Sequence, residues 1–425
     1  MSTIIATPFH VPQLEPISHN QIFLNEAKAT YAQLSTQLLP LISIANSVLH
    51  TQENLNFPNS HLITQPYSFK HEIRTVKSEE IGSINRWRKE EFGYRAHESY
   101  MQYIHEMDPS GWFVAVDTDN NIIGNIFGMN LNEDLAFGGL YAVKKPYRCH
   151  GIGGKLWNTR LLHIGNRNMG IDSVHTRVEA NKKAGMKVSF RLSRYYGRLT
   201  MESLTCFINA VNNGSDSKCQ YIIINAAQPE PEMQSILDKL IYYDTEINKG
   251  CCRKLFLDKT ILTKDTITCV ALEKNVDSTS IGQVIGYGIL RPRFEGLTIG
   301  PLYADTPNVA NGIFAKLFSG LLSNFMAYQS PATENCSNLS PLFDMVVLES
   351  EPNDPYLKND NTSEYTLLNE TGEENNLARA KCVKDLLNTL SLKRECILYR
   401  MYTKEDIKLP LAKVYAITSS EAFLL

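Results

Sequence analysis

The 425-residue sequence predicts an α/β protein made of two tandem copies of one unit. Three observations carry that expectation. From residue 70 onward, strand-length apolar runs alternate with stretches of helical periodicity. One strand leads through a short glycine-bearing loop straight into a helix. The strand motif LAFGGLYA, Leu135 to Ala142, returns as LTIGPLYA, Leu297 to Ala304, and Ile122 in IIG returns at the same offset as Val284 in VIG.

In chain order, residues 1–69 read as an N-terminal arm with one helix at about 20–50. A strand follows at His71–Lys77, then helical stretches to about Met107, and strands at Gly111–Asp117, Asn121–Asn130 and Leu135–Val143. In GIGGKLWNTRLLHIGNRN, Ile152, Leu156, Trp157, Leu161 and Ile164 give a helical stripe. Ile171–Ala184 must then supply both a strand and a helix before Gly185, which leaves short versions of each. Tyr195 and Tyr196 fall on the next strand, and the polar segment Ala210–Lys218 separates the copies. The second copy continues with a helix at Pro307–Leu322, a strand at Met345–Glu349, a helix at about Ala378–Leu390, and strands near Glu395–Tyr402 and Lys413–Thr418. Two polar stretches, about 329–340 and 353–376, read as surface insertions, the second acid-rich and disordered.

Composition excludes several classes. Forty-two Lys plus Arg against 45 Asp plus Glu leave a formal charge of −3, which argues against a nucleic-acid coat or a polybasic membrane anchor. The apolar run Leu38–Leu49 is too short to span a bilayer and contains Pro40. Residues 1–69 hold no Arg and the single Lys28, so a basic leader is not expected. Nine cysteines without a CxxC pair encode neither a disulfide framework nor a zinc knuckle, and no metal site is expected. The setting is expected to be reducing and intracellular, cytoplasmic or nuclear.

The sharpest signal is YRCHGIGGKLW, with Arg148, Gly151 and Gly153 in the order R-x-x-G-x-G and Gly154 added. Glycines let backbone N–H groups approach a ligand, and the first turn of a helix presents unpaired N–H groups with the positive end of its dipole. Together they suit a pyrophosphate, with Arg148 and Lys155 adding charge. The bland alternative is a glycine turn that merely lets a helix pack on a sheet.

LYAVKKPYRCHGIGGKLW resembles the acetyl-CoA-binding segment of the GNAT superfamily of N-acetyltransferases. The resemblance covers about residues 70–200, within a domain expected at 70–205, and implies a mixed, mostly antiparallel sheet flanked by helices. It implies Tyr141, Ala142 and Val143 for the pantetheine side, and Arg148, Cys149, His150, Gly151, Ile152, Gly153 and Gly154, with Lys155, for the phosphates. In the second copy, about 220–425, the loop is lost: Arg148, Gly151 and Gly153 correspond to Ala310, Ile313 and Ala315, and the helix opens on Asp305, Thr306 and Pro307, whose carboxylate would repel a pyrophosphate. With GYGILRP, IGPLYADTPNVA and KVYAITSS, this half resembles the C-terminal domain of the tandem YitH/HolE-type GNAT proteins.

The resemblance implies direct acetyl transfer from acetyl-CoA to a small-molecule or peptide amine. That reaction needs a base, an oxyanion donor and a proton source for the thiolate. A strand amide near Ala142 or Val143 is the expected donor. Glu133, Asp134 and Glu179 are the base candidates. Many GNAT enzymes take a Tyr after the fifth strand as the acid, and no Tyr lies between Tyr147 and Tyr195, so Tyr195 and Tyr196 stand as substitutes, the alternative being that they are packing residues of the strand. Tyr287, Phe294 and Tyr303, with the acidic Glu349, Glu351 and Asp354, are expected near an acceptor pocket between the copies, the alternative being that the aromatics fill the core of the second sheet and the carboxylates form a solvated loop end. Two functions remain open: an N-acetyltransferase, or an acyl-CoA-binding or interaction protein that keeps the fold without the proton relay.

Overall fold

A computed structural model describes residues 69–94, 96–212, 219–224, 231–274, 282–328, 341–349, 356 and 370–419. The expected helix at 20–50, the insertion at 329–340 and the acidic residues Glu351 and Asp354 lie outside these described residues.

The first copy opens with β1 (Glu72–Thr75), α1 (Ile81–Phe92) and α2 (Glu98–Met107). Gly93, at φ 68°, ends α1 in the left-handed conformation that glycine adopts without strain, and the His97 side chain accepts from the Ser99 N–H to start α2. Then come β2 (Trp112–Val116), β3 (Ile122–Asn130), β4 (Leu135–Val143), α3 (Ile152–Ile164), β5 (Asn168–Val174), the six-residue α4 (Val178–Lys183) and β6 (Lys187–Arg198). The crowding expected in Ile171–Ala184 is relieved because β5 starts earlier, at Asn168, just after Gly165 ends α3. Both short elements therefore fit.

The second copy repeats the plan: α5 (Met201–Asn212) connects to β7 (Cys219–Ile224), α6 (Pro231–Ile247), α7 (Lys254–Ile261), β8 (Ile267–Glu273), β9 (Val284–Pro292), β10 (Leu297–Ala304), α8 (Pro307–Tyr328) and β11 (Leu342–Glu349). It closes with α9 (Glu370–Thr389), β12 (Lys393–Tyr402) and β13 (Val414–Ala416). One expectation is corrected here: residues 370–376, read as part of a disordered insertion, belong to α9. Its acidic, polar first turns mask the helical period, and the apolar face begins only near Arg379, Cys382 and Val383.

The strands form one sheet in the order β1-β2-β3-β4-β5-β12-β6-β11-β10-β9-β8-β7, with β13 beside β10. Pairing is antiparallel except at β4–β5 and β10–β11. The sheet is thus mixed and mostly antiparallel, and the copies join by exchanging strands. β12 of the second copy lies between β5 and β6 of the first, while β6 lies between β12 and β11. Phe190, Leu192, Leu398 and Met401 are buried in this junction. Arg400 on β12 makes a bidentate pair with Asp172 on β5, Nε to Oδ1 2.6 Å and Nη2 to Oδ2 3.1 Å, both side chains fully buried. All described residues belong to one compact unit, and one apolar core runs from Val76 and Ile81 through Leu192 and Leu398 to Tyr287 and Ile417.

Candidate functional site: an open fork and a closed one

In each copy the two parallel strands meet only at their start. β4 pairs with β5 from Leu135↔Asn168 to Gly138↔Ile171, and among the described residues no strand pairs with this side of β4 from Gly139 to Val143. The strands therefore open into a fork. Leu140, at φ 54°, sits in a bulge of the β3–β4 ladder, where the register jumps between Asn125 and Phe127. A bulge turns the backbone locally and frees peptide groups from the ladder. The Leu140 carbonyl accepts from Arg88 Nη1 of α1 at 2.9 Å.

β10 and β11 pair likewise only from Leu297↔Phe343 to Ile299↔Met345. Their fork is filled. β13 pairs with β10 at Leu302↔Ala416 and Tyr303↔Val414, and the Ile417 N–H donates to the Val346 carbonyl of β11 at 3.0 Å. Tyr415 and Ile417 are buried there. The loop before the helix has gone as well, since α8 begins at Pro307, directly after β10.

At the mouth of the open fork, the chain from Lys144 to Gly151 makes one turn of 3-10 helix at Lys145–Tyr147 and then two left-handed residues, Cys149 at φ 66° and Gly151 at φ 76°. Gly151 is the N-cap of α3 and supplies no side-chain hydrogen bond, so the first-turn N–H groups keep their donors free for a ligand. Cβ atoms built at Gly151 and Gly154 would meet nothing within 4 Å, whereas one at Gly153 would meet the Tyr141 hydroxyl. Cys149, His150, Gly151, Gly154 and Lys155 are exposed; Ile152 is buried and anchors the helix start.

Arg148 is more engaged than its motif position implies. Its Nε donates to the Val143 carbonyl at 2.8 Å and its Nη2 pairs with Glu91 Oε1 at 2.6 Å; Glu91 Oε2 in turn accepts from Trp87 Nε1 at 2.7 Å. Arg148 thus fastens the loop to the end of β4 and to α1. Tyr141 and Val143 border the fork from β4, and Ala142 is buried behind them. Although half of Tyr141 is exposed, desolvation of its phenol raises the pKa above the usual 10, against the pull of Arg160 and Arg177. Its ring lies 6.0 Å from that of Trp157, edge to face.

The proton-relay candidates are not brought together. Glu133 and Asp134 are exposed in the β3–β4 turn, at the opposite end of β4 from the loop, and the Asp134 N–H bonds Asn132 Oδ1 at 2.9 Å. Glu179 is exposed in the first turn of α4, which follows the free end of β5. Tyr195 lies on β6, where its hydroxyl donates to Glu349 Oε1; burial first, then that bond, pushes its pKa up to about 12. Glu349 also holds Ser193, Arg191 and Arg394, so its charge is already compensated.

Two of the three pocket aromatics, Tyr287 and Tyr303, are corrected. Tyr287 and Tyr303 are fully buried beside an ion pair of Asp244 with Arg253, to which Tyr287 donates through its hydroxyl. They are core residues, held by a polar network no motif announces. Phe294 is half-exposed under Lys89 Nζ, 3.8 Å from the ring centroid. Sequence reasoning also missed Arg160, fully buried on α3, and a surface cavity of about 430 Å³ lined by Val174, His175, Thr176 and Arg394–Ile397, where the end of β5 meets the start of β12. Among the described residues no helix is long and apolar enough to cross a membrane.

Comparison with known proteins sets this geometry in a family. The family model described as Acetyltransferase (GNAT) family matches residues 81–186, and the one described as Acetyltransferase (GNAT) domain matches residues 241–339. The chain is 22% identical over 252 residues to the holothin acyltransferase of Pseudoalteromonas sp. (strain SANK 73390), covering 58% of this chain and 74% of the relative. A candidate acetyltransferase from Pyrococcus horikoshii, solved by crystallography, aligns over 86% of this chain and all of its own, with 16% identity and a TM-score of 0.53, and is thus alike in fold. A tandem GNAT protein from the clavulanic acid biosynthesis pathway aligns over 78% of this chain and 98% of its own, at 13% identity and a TM-score of 0.47.

Proposed function

The chain is a tandem GNAT acetyltransferase, and from that premise we propose that it moves an acetyl group from acetyl-CoA to an amine, with the donor bound by the first copy alone. The observation that carries this reading is the contrast between the forks. One keeps a glycine loop on an uncapped helix and an unpaired strand edge; the other has lost the loop and is filled by β13.

The residues at the open fork fit a CoA thioester. First-turn N–H groups of α3 face outward beside Gly151 and Gly154, which leave room for a pyrophosphate, and Lys155 adds a cation. The free edge of β4 offers backbone donors and acceptors to an extended arm, as an unpaired strand edge does to a peptide. When bound, the thioester supplies an activated carbonyl. A backbone N–H near Ala142 or Val143 faces the developing oxyanion, and Glu179 takes a proton from the amine. The amide C–N bond forms, the C–S bond breaks, and the thiolate leaves to be protonated from solvent. The acceptor is a small-molecule or peptide amine.

A second reading, acyl-CoA binding without turnover, is favoured by one observation: Glu133, Asp134 and Tyr195 lie away from the fork, and Tyr195 is committed to Glu349. Release of free CoA thiol in the presence of a panel of amines separates the two. Thiol release that depends on the amine supports the enzyme; calorimetric binding of acetyl-CoA without release supports the binding protein. Gly153→Asp would first displace Tyr141, so Gly154→Glu is the cleaner variant. It should fold as the parent does and weaken acetyl-CoA binding at least tenfold by placing a carboxylate at the helix start. Unchanged affinity would refute the site.

A further inference from the structure

Gly153, Trp157 and Arg160 stand at i, i+4 and i+7 on α3, one face of the helix, and that face looks along the fork. Gly153 lies at the mouth, against the Tyr141 hydroxyl. Trp157 follows, edge to face with Tyr141. Arg160 comes last, about 10 Å farther along the helix than Gly153 at 1.5 Å per residue. A Cβ on Gly138 would lie 2.8 Å from its Nη1, and Gly138 is the last residue of β4 paired with β5. The guanidinium therefore sits at the root of the fork.

Its chemistry there is unusual. Arg160 is 2% exposed, and among the described residues it has no carboxylate partner; Nε and Nη2 are buried without a hydrogen-bond acceptor. The Trp157 ring lies 4.1 Å from Cζ, and Tyr141 favours the charged form from β4. An unpaired buried cation is costly, and desolvation lowers its pKa to about 10, still charged at neutral pH. Gly128 and Gly138, on β3 and β4, pass over the side chain without side chains of their own, so the backbone approaches the guanidinium closely. A cation held bare at such a cost is a receptor for an anion, and the planar fork of a guanidinium matches the two oxygens of a carboxylate.

We propose that Arg160 receives the terminal carboxylate of the acyl group, so that the first copy accepts dicarboxylic acyl thioesters of the malonyl or succinyl kind and holds them more tightly than acetyl. This rests on the reading that the open fork binds a CoA thioester. A linear donor whose phosphates lie at the start of α3 carries its acyl end toward the root, and an acyl chain ending in a carboxylate reaches the unpaired guanidinium. Transfer is balanced as before: the amide C–N bond forms, the thioester C–S bond breaks, the amine proton goes to a base and the thiolate is protonated. The ω-carboxylate takes no part in bond exchange.

The test is calorimetry of the full chain with acetyl-CoA, butyryl-CoA and succinyl-CoA, on the parent, Arg160→Met and Arg160→Lys. Removing an unpaired buried charge should leave Arg160→Met folded, as its melting temperature will report. The parent is expected to bind succinyl-CoA at least tenfold more tightly than butyryl-CoA. Arg160→Met should erase that preference with acetyl-CoA affinity within twofold of the parent, and Arg160→Lys should keep part of it. Equal binding of succinyl-CoA and butyryl-CoA by the parent, or a preference that survives in Arg160→Met, overturns the proposal while leaving the donor site intact. Equal weakening of all three thioesters in Arg160→Met also overturns it, because the guanidinium would then hold a part common to every donor. If none of the three binds the parent, the reading of the fork fails and this inference falls with it.

Discussion

His105, in the last turn of α2, shows what a single buried ring does to pH response. It is 8% exposed, its ring centroid lies 6.4 Å from that of Trp112, and Nε2 has no hydrogen-bond partner. Burial lowers its pKa below the usual 6.5, partly offset by a bond to the Val76 backbone and by Glu106 and Asp108. The neutral ring is therefore favoured in the fold, and its contribution is complete above pH 6.5. As pH falls below 6.5, the unfolded chain takes the proton first, and stability is lost until the folded pKa is reached. Urea unfolding at pH 7.5 and 5.5 should show that loss, and His105→Gln should flatten it; an equal slope in both proteins would rule the ring out. Glu91→Gln tests a different residue role. Its ion pair with Arg148 is partly exposed, so stability should change by less than about 1 kcal/mol. Acetyl-CoA affinity should nevertheless fall several-fold by calorimetry, because the loop loses its tie to α1. The glycine loop was legible because its residue types are dictated locally, by left-handed turns and a bare helix start. Glu91 was not, being 57 positions from Arg148, and Arg160 reads in sequence as an ordinary solvated helix cation. Tyr287 and Tyr303 misled for the same reason: only the fold reveals the Asp244–Arg253 pair that buries their hydroxyls.

Elements were easier to read than their partners. The bounds of β3 and β9, Ile122–Asn130 and Val284–Pro292, fall at the one offset seen in the repeat, since a strand buried on both faces leaves a near-continuous apolar run that is legible locally. β13 was expected as a strand, but its place in the second fork was invisible, because three residues carry no signal of which strand they join. Its role predicts a separable outcome. Ile417 is 1% exposed, so Ile417→Ala should cost about 2–5 kcal/mol by leaving a cavity. It should not create a second donor site, because α8 still begins at Pro307 without a loop. Calorimetry should return one acetyl-CoA per chain in the parent and the variant; a second binding event would show that β13 alone keeps the second fork closed.

At the scale of the whole molecule, the exchange of β6 and β12 makes the two copies interdependent. Sequence periodicity located both strands but could not say that each would leave its own copy's edge to sit beside the other's, because register and neighbour choice depend on residues hundreds of positions away. Asp172→Asn should be severe, about 3–5 kcal/mol, since Arg400 would remain buried without its carboxylate. A chain cut at residue 220 would lose β12 and expose both β5 and β6 as bare edges. It should aggregate or unfold on size-exclusion chromatography, and a monodisperse, folded fragment would refute the dependence. The same geometry constrains how the protein is born. Asp172 and Arg400 are 228 positions apart, so at ribosomal speeds of about 5–20 residues per second the sheet of the first copy waits roughly 10–50 s for its missing strand. Throughout that interval the nascent chain presents β5 and β6 unpaired, with the open fork of β4 and β5 already translated but its far wall unsupported. Ribosome-arrested chains ending before Lys393 should therefore be cut by protease within 168–198, whereas the released full-length protein should resist, so that the ability to bind a donor is acquired only at the close of synthesis.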